Sequence, residues 1–167
     1  YSATPGQEVT VNVEIINRSG VEVTLQKLAF LPLQKDTAMQ QPLAQNEALK
    51  FSKKLQLPQT MPFTSAYWLN QPWALGMYTV PDQTLRGLPE TPHQFKVRYT
   101  LSIAGKVMEW ESDIPFKRED PVKGEIYRPF EVTPPVFGNI AESAYVFADN
   151  EAQTVALVVK SGAPNVS

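Results

Sequence analysis

The chain has 167 residues, of which 43% are apolar and 10% aromatic, enough for a domain of ordinary size with a buried core. It carries 15 Lys and Arg against 17 Asp and Glu, a net charge of −2, which argues against a strongly basic protein that binds nucleic acids or anionic membranes. There is no Cys and a single His, His93, so disulfides, thiolate metal sites and any site that needs two imidazoles are excluded.

Proline content and the spacing of apolar residues both indicate strands. The chain has 15 prolines, about 9% of its residues where about 5% is typical, and they interrupt every stretch that could form an amphipathic helix. Apolar residues instead alternate with polar ones, which is the pattern of half-buried strands. Because the chain begins with Tyr1 and not Met, we expect it to be a processed or excised piece of a longer protein.

The first third of the chain predicts three strands. Apolar and polar residues alternate over 9–15, and residues 17–20 follow as a predicted hairpin turn. A second strand covers 21–31, with a bulge near its middle where the alternation changes phase. The polar, Gln-rich residues 34–46 predict a loop, and residues 49–57 predict a third strand that ends at a proline.

The cleanest alternation in the chain predicts a hairpin after residue 94. Its strands cover 95–103 and 107–116 and are joined by a turn at Ala104-Gly105. On the returning strand, Trp110, Ile114 and Phe116 are the predicted inward positions.

The last quarter of the chain predicts shorter strands. One covers residues 126–132, and a second hairpin pairs 144–147 with 154–159 around Asp149-Asn150. About eight short strands separated by frequent turns are typical of an all-β sandwich.

We predict an Ig-like antiparallel β-sandwich over residues 1–133, with a boundary at the stiff Thr133-Pro134-Pro135 sequence. Residues 134–167 are then a linker and the first hairpin of a second, truncated sandwich. A lone hairpin is not stable in water, so the alternative is that it packs on the first sandwich. We favour the second sandwich because residues 155–159 alternate like the opening strand at 9–15.

Residues 58–92, here called the proline-rich segment, interrupt the strand pattern. They contain six prolines and only three charged residues. A structureless loop of this length is improbable in a compact domain, so we predict short strands at 67–69 and 77–80. The segment also contains five aromatic residues, which are Phe63, Tyr67, Trp68, Trp73 and Tyr78.

Three interpretations of these aromatic residues remain open. Trp68 and Trp73 could cap the sandwich core and cover a sheet edge. The flat rings could instead form a platform on which sugars stack. Alternatively, Tyr67, Trp68, Trp73 and Tyr78 could form a docking face for a neighbouring domain, because Trp and Tyr offer a large contact area at low entropic cost.

No arrangement of residues predicts catalysis. Only His93 could serve as the base of a serine hydrolase, and the chain contains no Gly-x-Ser-x-Gly element. The carboxylates lie in polar turns or on polar strand positions, which is typical of solvated side chains and not of a paired acid and base. The eight glycines are scattered and form no phosphate-binding loop. We therefore expect no catalytic residue, metal site, cofactor or nucleic-acid partner.

Four stretches of the chain carry a resemblance to a known family. The most specific reads Asp-Pro-Val-Lys-Gly-Glu-Ile-Tyr-Arg-Pro-Phe. It resembles, with the other three, the non-catalytic region that follows the catalytic domain in exported LmbE-like (PIG-L-type) deacetylases of Bacteroidetes-like bacteria. The four stretches are 67–69, 75–78, 87–92 and 120–132.

The resemblance implies tandem Ig-like sandwiches and a parent protein that acts on N-acetylated amino sugars outside the cytoplasm, in the periplasm or beyond. The zinc-binding His-Pro-Asp-Asp-type element of the family is absent from this chain, so no catalytic residue carries over. We therefore predict a non-catalytic accessory and interaction module whose partners are neighbouring domains of the parent chain. A carbohydrate-binding module that uses an aromatic face in residues 63–78 is the alternative.

Overall fold

The computed structural model describes residues 2–33, 35–149 and 151–162, and over these residues the chain is an all-β, sandwich-like protein. This confirms the predicted fold class. The elements of regular structure within the described residues are twelve strands and two short 3-10 helices. The strands are β1 (Ser2–Ala3), β2 (Glu8–Ile16), β3 (Val23–Leu31), β4 (Lys35–Pro42), β5 (Ala48–Gln56), β6 (Lys96–Ile103), β7 (Lys106–Asp113), β8 (Phe116–Asp120), β9 (Gly124–Arg128), β10 (Glu131–Val132), β11 (Val136–Ile140) and β12 (Leu157–Ser161). The 3-10 helices cover Tyr67–Leu69 and Gln83–Leu85.

Two layers of unequal width enclose the main core. One is a four-stranded antiparallel sheet in the order β4-β3-β6-β7, and the other consists of β2 and β5. Apolar side chains from both layers form one cluster, which is the arrangement expected when alternating strands bury one face each. The buried members are Val13, Leu25, Leu28, Phe30, Leu43, Leu55 and Val97.

Strand β3 contains the predicted bulge. Its pairing with β4 and β6 shifts register between Leu25 and Lys27. Leu25 and Leu28 are three positions apart and would face opposite sides of a regular strand, but the extra residue returns both to the core. Both side chains are completely buried, so the bulge lets this sequence use both leucines in the core.

The connection at residues 17–20 is not the predicted hairpin turn. β2 pairs with β5, whereas β3 pairs with β4 and β6, so the chain crosses from one layer to the other. The buried side chain of Asn17 holds this crossing, because its Nδ2 donates to the carbonyls of Val21 (2.9 Å) and Leu43 (3.2 Å). Alternation identifies two successive strands but not their partners.

The loop predicted at 34–46 is wrong for most of its length. Lys35–Pro42 forms β4, which pairs with β3 at the edge of the larger sheet. Gln34 lies outside the described residues. The strand is polar and mostly exposed, because an edge strand gains its hydrogen bonds from one neighbour without having to bury a face. It therefore lacks the apolar alternation on which the prediction depended.

The hairpin of β6 and β7 is confirmed, with Ala104 and Gly105 in left-handed conformations at the turn (φ 46° and 79°). Ile114 and Phe116 are half-buried, as their predicted inward positions suggest. Trp110 is different. It lies opposite Tyr99 of β6, on the core side, but 69% of its surface is exposed. Trp110 thus has the predicted inward direction but is not buried, because no strand of the smaller layer covers it.

A second, smaller core lies at one end of the sandwich. β1 pairs in parallel with β10, and their residues join others from the ends of β5 and β6. The strand predicted over 126–132 is in fact two elements, β9 and β10, separated by Pro129 and Phe130. The buried members of this cluster are Ala3, Leu57, Met61, Phe95 and Val132.

The hairpin near the end of the described chain has a different partner from the predicted one. β12 pairs with β11, over Val136–Ile140, and residues 144–147 form no strand. Asn150, at the centre of the predicted turn, lies outside the described residues. Every residue of β11 and β12 is exposed. The division of the chain at Thr133-Pro134-Pro135 stays a prediction.

Candidate interaction site

The proline-rich segment begins with a firm anchor on the second core. Met61 is only 7% exposed and packs in that cluster. Two hydrogen bonds follow at once, because Thr64 N donates to the carbonyl of Val132 (2.8 Å) and Val132 N donates to Thr64 Oγ1 (2.9 Å). Burial and backbone pairing together therefore fix the start of the segment.

Tyr67 and Trp68 form the next layer of the segment. The short strand predicted at 67–69 is instead a single turn of 3-10 helix. Tyr67 N donates to Thr91 Oγ1 (3.1 Å) and Tyr67 Oη donates to the carbonyl of Leu88 (2.9 Å), which joins the two ends of the segment. The Trp68 ring meets the Tyr67 ring edge to face, with centroids 4.9 Å apart. Both side chains are half-buried, and the two rings support each other.

Beyond Tyr67 and Trp68 the segment extends into solvent and reverses at a tight turn. Ala74 and Met77 exchange backbone hydrogen bonds of 3.0 and 3.1 Å. Gly76 between them has φ of 79°, a left-handed conformation that glycine adopts at little cost. This isolated bridge replaces the strand predicted over 77–80, which does not form. The turn places Leu75 at its outermost point, where it is 97% exposed.

The structure therefore divides the four predicted interface residues into two pairs. Tyr67 and Trp68 lie at the base, whereas Trp73 and Tyr78 flank the turn and are 72% and 61% exposed. Because its side chain is mostly exposed, the interpretation in which Trp73 caps the sandwich core is wrong. Leu75 and Met77 are also exposed here but were not predicted as interface residues. Their position on either side of Gly76, between Trp73 and Tyr78, could have indicated them.

We call residues 73–78 the apolar tip. The returning chain behind the tip is held by local polar contacts. Asp82 Oδ1 accepts from Thr84 Oγ1 (2.7 Å) and Thr84 N (2.9 Å), and these bonds hold the pKa of the Asp82 carboxyl below its ordinary value. Arg86 Nε donates to the carbonyl of Val80 (2.9 Å). The tip is thus an ordered excursion with apolar side chains outward.

His93 lies beside the Asp113 carboxylate. Its Nδ1 lies 3.2 Å from Asp113 Oδ2, and Asp113 is also 3.6 Å from Lys96 Nζ. The ring lines an open pocket of about 300 Å³ together with Gln94, and among the described residues its Nδ1 makes no hydrogen bond. Over the same residues, no group of three or more His, Cys, Asp or Glu side chains is placed to hold a metal ion.

Comparisons with models of known families, with curated proteins and with solved structures find no significant match. Across the described part of the chain, no helix has the length and apolar character that crossing a membrane requires.

Proposed function

We propose that this chain is a non-catalytic interaction module of a larger exported carbohydrate-active enzyme, and that its apolar tip docks on a neighbouring domain of that enzyme. The observation that carries the proposal is the tip itself. Its four large apolar or aromatic side chains are more than half exposed, although the segment that bears them is anchored. They are Trp73, Leu75, Met77 and Tyr78.

The anchoring separates this tip from an ordinary exposed loop. Scattered exposed apolar residues are normal on a protein surface, whereas a contiguous group points to a contact. The turn at Gly76 keeps the group together, so less conformational entropy is lost on docking. Trp, Tyr and Met are also among the residue types enriched at protein interfaces.

The identity of the enzyme comes from the resemblance alone. The Asp120–Val132 stretch resembles the accessory region of exported LmbE-like deacetylases, and the proposal takes from it an N-acetyl-sugar deacetylase as the parent. Asp120 itself has a structural role here, because its Oδ1 accepts from Lys123 N (2.9 Å) and Val122 N (3.0 Å) in the turn between β8 and β9.

The test begins with the coding sequence on both sides of this chain, which must contain an LmbE-like catalytic domain. Hydroxyl-radical footprinting then compares the isolated chain with the longer protein. Tyr78 at the tip should be oxidised in the isolated chain and protected in the longer protein. Tyr127 on β9, with a similar exposure of 56%, is the matched control. Equal oxidation of Tyr78 in both proteins, or a parent without a second domain, would contradict the proposal.

Carbohydrate binding is the second candidate, favoured by the exposed ring faces of Trp73 and Tyr78. Polysaccharides in a native gel should then retard the chain, and Trp73→Ala should abolish the retardation. Trp110→Ala removes an equally exposed ring, 69% against 72%, from a different part of the molecule and should leave the retardation unchanged. Absence of retardation on chitin-derived and other polysaccharides would exclude this candidate.

A further inference from the structure

Strand β2 has a partner along only one of its edges. Among the residues that the structure describes, it pairs with β5 and with no other strand. Leu57 N donates to the carbonyl of Gln7 (2.9 Å), so the carbonyl of Gln7 points towards β5. Along an antiparallel strand, the backbone N–H and C=O groups of successive residues point alternately towards the paired strand and away from it. The N–H and C=O groups that point away from β5 therefore belong to Glu8, Thr10, Asn12 and Glu14.

An open groove of about 530 Å³ lies beside β2. Core residues such as Leu55, Val97 and Tyr99 line it, so part of the sandwich interior is open to solvent there. The chain between Asp113 and Glu119, which leaves β7 and enters β8, lines it as well. An unpaired strand edge thus adjoins an apolar cavity.

Strand β7 supplies an independent observation. Met108 and Trp110 lie directly opposite Leu101 and Tyr99 of β6, and residues directly opposite each other point to the same face of a sheet. Leu101 and Tyr99 pack against the core, so Met108 and Trp110 are also on the core side. Both are nevertheless more than half exposed, because the four-stranded layer extends beyond the two-stranded one.

We propose that the edge of β2 is a strand-addition site, at which an extended segment of another polypeptide pairs with β2 and covers the core side of β7. The proposal uses different residues from the apolar tip and is independent of it. A single strand fits better than a second copy of this chain. If two copies joined along β2, the overhanging β7 of each copy would lie over the smaller layer of the other. That layer already faces the four-stranded layer of its own copy, so the two larger layers would compete for the same space.

The chemistry of the edge specifies the added strand. Its inward residues would contact the groove and Trp110, so they should be apolar and alternate with outward ones. On the outward face, Glu8 and Glu14 lie towards the two ends of β2. Each carboxylate is about half exposed and already forms an ion pair with one lysine of β5, Glu8 with Lys54 (2.7 Å) and Glu14 with Lys50 (3.3 Å). Lys or Arg at the two ends of the added segment would face these carboxylates.

A peptide of sequence Lys-Val-Thr-Val-Thr-Val-Lys, blocked at both termini, matches this pattern and serves as the probe. We expect saturable binding to the whole chain, and slower hydrogen exchange at the amides of Thr10 and Asn12. The amides of Lys50 and Ser52, on the far edge of β5, should exchange as before. No saturable binding up to about 1 mM peptide, a limit near −4 kcal/mol, would overturn the proposal.

Two N-methylated peptides test backbone pairing without altering the protein. One carries the methyl groups on both Thr nitrogens and the other on two of the Val nitrogens. Because alternate N–H groups point to opposite sides of a strand, only one of the two peptides should lose binding, by about tenfold or more. Loss in both peptides, or in neither, would show that binding does not use a strand edge.

A matched pair of variants places the site on β2. Asn12→Pro removes an N–H from the open edge of β2, and Ser52→Pro removes one from the outer edge of β5. Both lose the same hydrogen bond, from Ser52 Oγ to Asn12 Oδ1 (2.7 Å). Asn12→Pro should weaken peptide binding about tenfold or more, and Ser52→Pro should retain it. Equal effects of the two variants, or self-association of the chain through β2, would overturn the proposal. If Asn12→Pro does not fold, the N-methylated peptides provide the test instead.

Discussion

Strands β3 and β12 have similar apolar content and opposite environments. β3 contributes Leu25, Leu28 and Phe30 to the main core, all three with almost no exposed surface. β12 begins with Leu157 followed by two valines, and every residue in it is exposed. The difference lies in what surrounds each strand. β3 is paired on both edges and faces a second layer, whereas β12 pairs only with β11.

The comparison shows that apolar residues in a strand do not by themselves make a core. Burial needs a facing layer, and stabilisation follows the area removed from water. A two-stranded hairpin without such a layer is marginal in water. The same contrast appears inside the proline-rich segment, where the base is buried at Met61 and the tip is exposed at Leu75. Four measurements test this contrast.

The largest expected effect on stability is the difference between two Phe→Ala variants, one in β3 and one in β11. Phe30→Ala removes a ring that is 1% exposed and should lower the free energy of unfolding by about 3–5 kcal/mol. Phe137→Ala removes the same atoms from β11, where the ring is 37% exposed, and should cost less than half as much. Urea unfolding followed by far-UV circular dichroism measures both. Equal losses would mean that the β11–β12 hairpin is part of the folded core.

Two methionines make the same comparison within the proline-rich segment. Met61→Ala should destabilise the chain by about 2–4 kcal/mol, because Met61 packs in the second core. Met77→Ala at the tip, 72% exposed, should change stability by no more than about 0.5 kcal/mol. Thermal unfolding of the two variants measures this difference in stability. A large loss for Met77→Ala would show that the tip packs on the sandwich, contrary to the exposed docking surface that we propose.

A smaller effect is expected for the hydrogen bond that anchors the segment. Thr64→Val keeps the side-chain shape but leaves Val132 N without the Thr64 Oγ1 acceptor, and should cost about 1–2 kcal/mol. Thr84→Val makes the same change at an exposed residue, where only a local bond to Asp82 is lost, and should have little effect on global unfolding. Urea denaturation compares the two, and the anchor would be unnecessary if both variants matched the wild-type protein.

The smallest effect concerns pH and the turn between β8 and β9. The N–H groups of Lys123 and Val122 hold the pKa of the Asp120 carboxyl below its ordinary value. The turn is therefore stabilised above the unfolded pKa of about 3.9, and this contribution is lost as the pH falls through the lower, folded pKa. The amide shifts of Val122 and Lys123 in NMR spectra should report that midpoint. In Asp120→Asn the acid transition of these amides should disappear.

Local patterns were sufficient for much of the fold. Alternation located β2, β3, β5, β6 and β7, and a change of phase located the bulge at Leu25 and Lys27. Residues 35–42 were missed because an exposed edge strand carries no apolar signal. The hairpin at 144–159 was wrong because β12 has its partner at 136–140, and local alternation contains no information on which strand pairs with which.

The aromatic residues of the candidate site could be identified from the sequence. Which of them are half-buried at the base and which are exposed at the tip could not. Tyr67 is held by Leu88 and Thr91, more than twenty positions away, and contacts of that kind appear only when the chain has folded. The exposure of Trp73 follows from the turn at Gly76. Neither the base nor the tip of the segment has an alternating pattern from which burial could be predicted.

The amino-acid sequence by itself determined an all-β chain without cysteine and with one histidine, because composition and period-two alternation depend on neighbours along the chain. Tertiary structure alone decided which apolar residues are buried. Trp110 shares the core side with Tyr99 but is exposed, because the smaller layer has only two strands. Burial depends on what lies across the sandwich, and that is a relation between distant parts of the sequence.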